Sequence, residues 1–391
     1  MRADDFQPGF PGELIKIGSA SGTEALAFLP TPLPPTIELS MSLATQAERS
    51  AIALGNLSGL GILLPNPYLL VRPFVRREAL ASSRIEGTQA DFTQLALIEA
   101  GPGAGADNPD IQEVVNYISA LNAGWLQPLE RKLSTGLATD LHRLLMQGVR
   151  GQDKSPGELR KRQVMIGSRG QRLHEARFVP PPSLEVRSLL DDMFDFADSE
   201  TLFPSLVRIA FIHYQFECVH PFEDGNGRLG RLLIPLLLRQ WSLLELPLLY
   251  LSEFFERYRD EYIDGLYKVS TRGDWETWMQ FLLRGIEVQS REAIIVGRKL
   301  IELREELRQR YATHRSPNIH VIIDRLFERP TTTFAEAASV TGTTPRSGRL
   351  LIRQLEADGV LEEVTGQSRG MIFVARKILA ALTSTSDLGT P

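Results

Sequence analysis

His220-Pro221-Phe222-Glu223-Asp224-Gly225-Asn226-Gly227-Arg228-Leu229-Gly230-Arg231 is the stretch on which the reading of this chain turns. Upstream of it, Leu206, Ile209, Ala210 and Phe216 recur at helical spacing and predict a buried helix from Leu206 to Val219. Pro221 disfavours helical backbone at the residue before it, so the helix should end at His220 and leave the imidazole at a helix-to-loop junction. Gly225, Asn226 and Gly227 tolerate left-handed backbone and let main-chain N–H groups approach a ligand closely. A second helix starts near Gly227 and carries Leu232, Leu233 and Leu236 to Leu238. Its free N–H groups and positive dipole end suit an anion. Arg228 and Arg231 share a face in its first turn, and two cations there are unfavourable unless a polyphosphate meets them.

This stretch resembles the Fic motif, His-Pro-Phe-x-Asp/Glu-Gly-Asn-Gly-Arg-x-x-Arg, and matches it at each defined position. The resemblance implies a mainly helical Fic core that transfers AMP from ATP to a hydroxyl side chain of a protein. His220 would be the general base for the target Ser, Thr or Tyr hydroxyl, a role suited to a neutral imidazole. Asp224 would bind Mg²⁺, which bridges phosphate oxygens. The N–H groups of Gly225, Asn226 and Gly227 would form the anion hole, and Arg228 would neutralise the β and γ phosphates. Leu229, Gly230 and Arg231 complete the implied nucleotide-binding run. Attack would be in line at the α-phosphate with pyrophosphate leaving, so positioning and charge stabilisation carry the catalysis. Phe222 reads as an apolar anchor of the loop.

The next informative stretch is Arg77 to Gly87. Helix formers run up to Gly87, which can cap a C-terminus, and Ser82 and Glu86 lie on one face. Glu86 is a negative charge at the negative end of a helix, so it needs a cationic partner. On the residues alone, a solvated carboxylate at a helix end is the favoured reading. Ser82-x-x-x-Glu86-Gly87 also resembles the Fic inhibitory motif, Ser/Thr-x-x-x-Glu-Gly/Asn. That resemblance implies an inhibitory helix at about 77–87 whose Glu86 pairs with Arg231 and blocks productive placement of the ATP γ-phosphate.

Gln163 to Ile166 and Ala176 to Val179 are short β-like runs around Gly167 to Gly170, which predict a hairpin. It resembles the Fic flap, which holds a target segment by strand-like main-chain pairing. Val164 and Ile166 are candidates to line the groove. Tyr262-Ile263 stands where family members often carry an aromatic pair near the adenine; the second aromatic is absent here. Tyr250 to Val269 reads as one helix and Phe281 to Gln309 as a long connecting one. His142 has no acidic or Cys neighbour at ligand spacing and reads as structural.

A chain of 391 residues suggests about two or three domains. Its net charge of −5 argues against a generally nucleic-acid-coating or membrane-surface protein. The single Cys218 excludes an intrachain disulfide and reads as a small buried hydrophobe. Met1 to Phe6 has no apolar leader, which together with Cys218 predicts a cytoplasmic setting. The apolar run Leu232 to Leu238 is far shorter than the roughly 20 residues of a membrane span.

The expected organisation is an N-terminal region (1–109), a Fic core (110–295), a connector helix (296–315), a winged helix-turn-helix domain (316–380) and a disordered tail from Thr383 (381–391 as a segment). Residues 1–48 read as a Pro- and Gly-rich lead-in with one short strand, and 100–109 as a flexible connection. In the last domain, helices at Ile319 to Phe327, Phe334 to Val340 and Pro345 to Ala357 precede strands at Val360 to Val364 and Met371 to Val374. Arg346, Ser347 and Arg349, with Arg369 in the wing, are the DNA-contact candidates of such a module. Acidic and basic residues balance over 331–391, which is weak for DNA, so DNA-binding and protein- or dimer-binding readings stand level. The function reading is an autoinhibited protein adenylyltransferase using ATP and Mg²⁺, acting on other proteins or itself, with self-association implied by the resemblance. The alternatives are a de-AMPylase or a Fic enzyme using another nucleotide, and a nucleotide-sensing DNA-binding regulator. The intact His220 counts against the last, because a sensor needs no base.

Overall fold

The computed structural model describes residues 1–18, 24–62, 66–100, 108–167 and 171–383, and it is mainly helical. Where one short strand was expected near the N-terminus, two form: β1 (Gly12–Gly18) pairs antiparallel with β2 (Glu24–Pro30), Gly12 opposite Pro30. The pair is held by aromatics far apart in sequence. Phe28 is fully buried against Phe6, Phe10 and Phe178, and its N–H donates to Val179 O at 2.9 Å.

The helices follow as α1 (Met41–Ile62), α2 (Tyr68–Ile85), α3 (Phe92–Ala100), α4 (Pro109–Trp125), α5 (Thr135–Leu145), α6 (Val186–Asp198), α7 (Ser205–Val219), α8 (Asn226–Gln240), α9 (Ser252–Arg257), α10 (Arg259–Arg272) and α11 (Trp275–Arg310). α7 and α8 are buried on nearly every residue, as a helix enclosed on all sides must be. They form the centre of the molecule. α2 lies over their junction, and α4 and α5 flank α8. The single helix expected from Tyr250 breaks at Tyr258 (φ −115°, ψ 44°) into α9 and α10. The long helix begins at Trp275 rather than Phe281. Its first turns belong to the core, with Trp278 fully buried and its indole N–H donating to Ala210 O.

The remaining elements are α12 (Asn318–Glu328), β3 (Thr331–Thr333), α13 (Phe334–Thr341), α14 (Pro345–Ala357), β4 (Glu362–Glu363), β5 (Ile372–Val374) and α15 (Arg376–Thr383). The strands pair in the order β3-β5-β4, all antiparallel. Thr344 caps α14 with Pro345 in its first turn, as its sequence indicates. β3 and α15 lie outside the expected elements, and the two expected strands are shorter than their apolar runs. This unit packs on α2 and α3: Arg72 pairs with Glu328 at 2.6 Å, and Thr331 Oγ donates to Ala96 O. The expected connection at 101–107 and the tail at 384–391 lie outside the described residues. Among the described residues no helix is long and apolar enough to cross a membrane.

Candidate active site

α7 stops where Pro221 demands it. His220 adopts left-handed backbone (φ 48°, ψ 63°), and its N–H still donates to Phe216 O at 3.0 Å. The ring Nδ1 lies 3.3 Å from Glu217 O. A carbonyl only accepts, so Nδ1 carries the proton and Nε2 keeps its lone pair. Burial pushes the imidazole down to about 4, helped by the charge of Arg160 and opposed by the Glu217 carbonyl, Glu86 and Asp224. The ring is therefore neutral at physiological pH.

The loop after His220 is shaped by its own side chains. Asn226 accepts from Phe222 N at 2.8 Å and donates to Phe222 O at 2.9 Å. Its side chain is thus spent on the loop; only its backbone remains for a ligand. Phe222 is fully buried and stacks on His142 at 3.8 Å, the anchor its sequence position suggested. His142, read as structural, supports the site directly. Its Nδ1 accepts from Gly157 N and its Nε2 reaches Asp224 O, both at 2.9 Å. Gly225 has φ 76°, and a Cβ there would strike Met146 and His142. Asp224 leaves its carboxylate about half exposed, with Oδ1 taking the Gly225 N–H.

α2 ends beside this loop. Its last turn presents Ser82 and Glu86 on one face, and Gly87 turns the chain away at φ 95°. Arg231 donates from Nε to Ser82 Oγ at 2.9 Å and from Nη2 to Ser82 O at 2.9 Å and to Glu86 Oε1 at 2.7 Å. The arginine is 2% exposed and the glutamate 40%. Burial raises the Glu86 carboxyl, but the Arg231 charge and hydrogen bond outweigh it and hold the group below its usual range. The Arg231 guanidinium is correspondingly raised. The carboxylate lies over Gly227, in the first turn of α8, on ground that a side chain at that position would take.

A pocket of about 250 Å³ opens here. It brings together His220, Gly227, Arg231, Glu86, Tyr262, Ile263 and Ile166 from the sequence candidates. Tyr262 is buried, stacked on Phe255 and hydrogen-bonded to His213 at 2.9 Å. Other candidates fall elsewhere. Arg228 does not line the pocket: it is drawn toward α4, pairing with buried Glu113 at 3.1 Å and touching Met146. Leu229 packs into the core, and Gly230 lies against Glu217 and Phe216. Gly225 and Ser82 stand behind the lining. Val164 is half-buried and off the pocket. Among the described residues the expected flap hairpin shows one antiparallel bridge, Ile166 with Phe178, and a 3₁₀ turn at Leu173–Glu175. Its runs are too short and too separated to build a ladder; residues 168–170 are outside the described ones.

Sequence reasoning missed Glu217 and Tyr267, both on the pocket wall. Burial pushes the Glu217 carboxyl up to about 7; Arg231 opposes this and Glu86 adds to it. Its Oε1 has no hydrogen-bond partner among the described residues. The available signal was an acidic residue interrupting the apolar helix three positions before His220.

Residues 44–126 match the Fic/DOC family N-terminal model and residues 132–238 the Fic/DOC family model. The two ranges hold the α2 terminus and the whole His220–Arg231 stretch. Over these two ranges the chain carries Fic/DOC N-terminal and Fic domains. It is similar to a probable protein adenylyltransferase of Aquifex aeolicus, 33% identical over 91 residues (23% of this chain, 26% of the relative). It is also similar to protein adenylyltransferase fic-1 of Caenorhabditis elegans, 30% identical over 164 residues (39% and 30%). The matched segments span under a third of either relative's length. A Fic family protein from Desulfovibrio desulfuricans G20 shares the fold at TM-score 0.55 and 22% identity, covering 88% of this chain and 98% of that one.

Proposed function

We propose that this Fic/DOC chain is a protein adenylyltransferase held inactive by Glu86. The observation that carries the reading is the Glu86–Arg231 pair lying over the first turn of α8, in one pocket with a neutral His220. A helix N-terminus is an anion site, and here a carboxylate of the chain itself occupies it. The names of the curated relatives supply the reaction class.

ATP would seat its nucleoside against Tyr262, Ile263 and Ile166 and its phosphates over Gly227, with Arg231 released from Glu86 to the γ-phosphate. The target hydroxyl of Ser, Thr or Tyr attacks the α-phosphorus, forming the ester oxygen–phosphorus bond as the bond to the β-phosphate oxygen breaks. His220 Nε2 takes the hydroxyl proton, and pyrophosphate leaves. Asp224 fits a divalent metal that arrives with the nucleotide, because Mg²⁺ is commonly held by one carboxylate plus phosphates. Bound there, it would neutralise the charge building on the phosphates. Among the described residues no cluster of three acidic, His or Cys side chains forms a metal site independent of the nucleotide.

Residues 316–380 are proposed as a winged helix module, supported by the chain order α12-β3-α13-α14-β4-β5, with the strands pairing as β3-β5-β4. Its α14 exposes Arg346 and Arg349, the face to test first for DNA. Arg353 on the same helix is tied to Glu356, which reduces the charge available.

The test incubates purified chain with Mg²⁺ and ATP labelled at the α-phosphate, with and without lysate, comparing wild type, Glu86→Gly and His220→Ala. Label that rises in the first variant and vanishes in the second supports the reading, and label on the chain itself shows self-modification. No label in any variant, with ATP still bound, overturns it.

A further inference from the structure

Arg160 lies outside every motif discussed above, yet it touches the backbone of His220. Its side chain is buried, 3% exposed. Nε donates to His220 O at 2.8 Å, and Nη2 donates to Val219 O at 3.2 Å and Pro181 O at 2.6 Å. Nη1 reaches Arg162 O at 3.3 Å, and the Arg160 N–H donates to Pro221 O at 2.9 Å. One guanidinium therefore joins the segment leaving α5, the segment returning from Phe178, and the end of α7.

These contacts are all to carbonyls. Burial pushes the group down to about 10, which measures how unfavourable its position is. A buried cation without a carboxylate is kept only where many acceptors converge on it. The carbonyls of Val219 and His220 are what makes the convergence: they are the unpaired last carbonyls of α7, at its negative dipole end. His220 itself is a non-glycine residue at φ 48°, a backbone state that the surroundings must enforce. The planar fork of an arginine suits this task, since it fixes two carbonyl directions at once.

We propose that Arg160 is a positioning residue for the reaction, fixing the left-handed backbone of His220 so that Nδ1 faces Glu217 O and Nε2 faces the pocket. This rests on the reading of His220 as general base. The role is in the turnover step and not in nucleotide binding, because Arg160 is not part of the pocket wall.

The test uses the full chain. In the released Glu86→Gly background, self-transfer of α-labelled AMP is measured against ATP concentration for Arg160, Arg160→Lys and Arg160→Met. A base displaced by about 1 Å costs on the order of 100-fold, so Arg160→Met should lose about that much in saturating rate with half-saturating ATP changed less than about twofold. Arg160→Lys keeps the charge but not the fork and should fall between. Should Arg160→Met fail to fold, Arg160→Lys carries the test, and melting curves of each variant show which applies. Separately, nitrogen-15 spectra of the histidine rings, assigned with His220→Ala, should show Nδ1 protonated in the parent and a mixed tautomer in the Arg160 variants. Unchanged saturating rate, or a loss confined to half-saturating ATP, overturns the proposal. If Glu86→Gly transfers AMP neither to itself nor to lysate protein, the function reading falls, and the ring spectra still decide: a parent-like tautomer in a folded Arg160 variant removes the positioning role.

Discussion

Glu86 Oε1 accepts from Arg231 Nη2 at 2.7 Å, across a sequence separation that places one residue at the end of α2 and the other in the second turn of α8. The pair is stiffened from behind, because Ser82 takes two further hydrogen bonds from the same guanidinium. These bonds commit Nε and Nη2, and the Glu86 carboxylate covers Gly227, so a phosphate arriving there competes with Glu86 for the guanidinium. Glu86→Gly should therefore raise AMP transfer at fixed ATP by about tenfold or more, equivalent to ~1.4 kcal/mol of binding returned to the nucleotide. Rates with α-labelled ATP in the two chains check this. Equal rates would mean that the pair does not compete with phosphate.

Ser82→Ala tests the same lock more gently. It deletes the acceptor for Arg231 Nε but leaves Ser82 O and Glu86 in place. Loss of a hydrogen bond to a buried charge should destabilise the fold by about 1.5–3 kcal/mol in urea unfolding. Transfer should rise, though less than in Glu86→Gly. A variant that is destabilised with no gain in rate would make Ser82 structural only.

Asn226→Ala separates loop shape from chemistry. The Asn226 amide is the sole side chain bonded to both Phe222 N and Phe222 O among the described residues. Both groups are buried, so their loss of partner should cost about 2–4 kcal/mol by urea titration. Transfer should fall with it, since Asp224 and Gly225 lie between the two residues. Full activity with unchanged stability would contradict the staple.

The centre of the site was legible because its determinants are local. Pro221 ends α7, Gly225 opens α8 at φ 76°, and both effects act within a residue or two. The Glu86–Arg231 pairing is not local; physics asked only for some cation near Glu86, and the resemblance named which one. Arg228 shows the limit of that route. Its spacing to Arg231 predicted a shared face, but the partner that captures it, Glu113, is on α4, more than a hundred residues away in sequence. The same holds for β1 and β2, whose anchor Phe28 meets Phe178 from the other side of the site. Arg160 gave no signal, because all its partners are backbone carbonyls and carry no sequence signature.

Three histidines, His142 and His213 buried and His220 half-buried, set the acid limit of the fold. His142, His213 and His220 are pushed down to about 4, 3 and 4 by burial, against an ordinary value of 6.5. Between those values the unfolded chain binds more protons than the folded one. Their contribution to stability is thus whole above pH 6.5 and is lost as pH falls through about 4. The melting temperature should decline steadily from about pH 6.5 to about pH 4. His142→Asn should show a shallower decline, at the cost of the Gly157 and Asp224 contacts. A melting temperature independent of pH over this interval would rule out neutral burial of these rings.

Glu217 works with the opposite sign. Its carboxyl is pushed up from 4.5 to about 7, chiefly by burial, with the nearby Glu86 charge adding to the shift. The folded chain here holds the proton more tightly than the unfolded one. The stabilisation is complete below pH 4.5 and is lost as pH rises through about 7, where the buried group must ionise. Glu217→Gln removes the titration while keeping the shape, so its melting temperature should exceed wild type near pH 8 and match it near pH 5. In the Glu86→Gly background the charge repelling Glu217 is gone, and Arg231 is free to attract it. The gain from Glu217→Gln near pH 8 should then shrink. A gain of equal size in both backgrounds would show that Glu86 and Glu217 do not sense each other through Arg231.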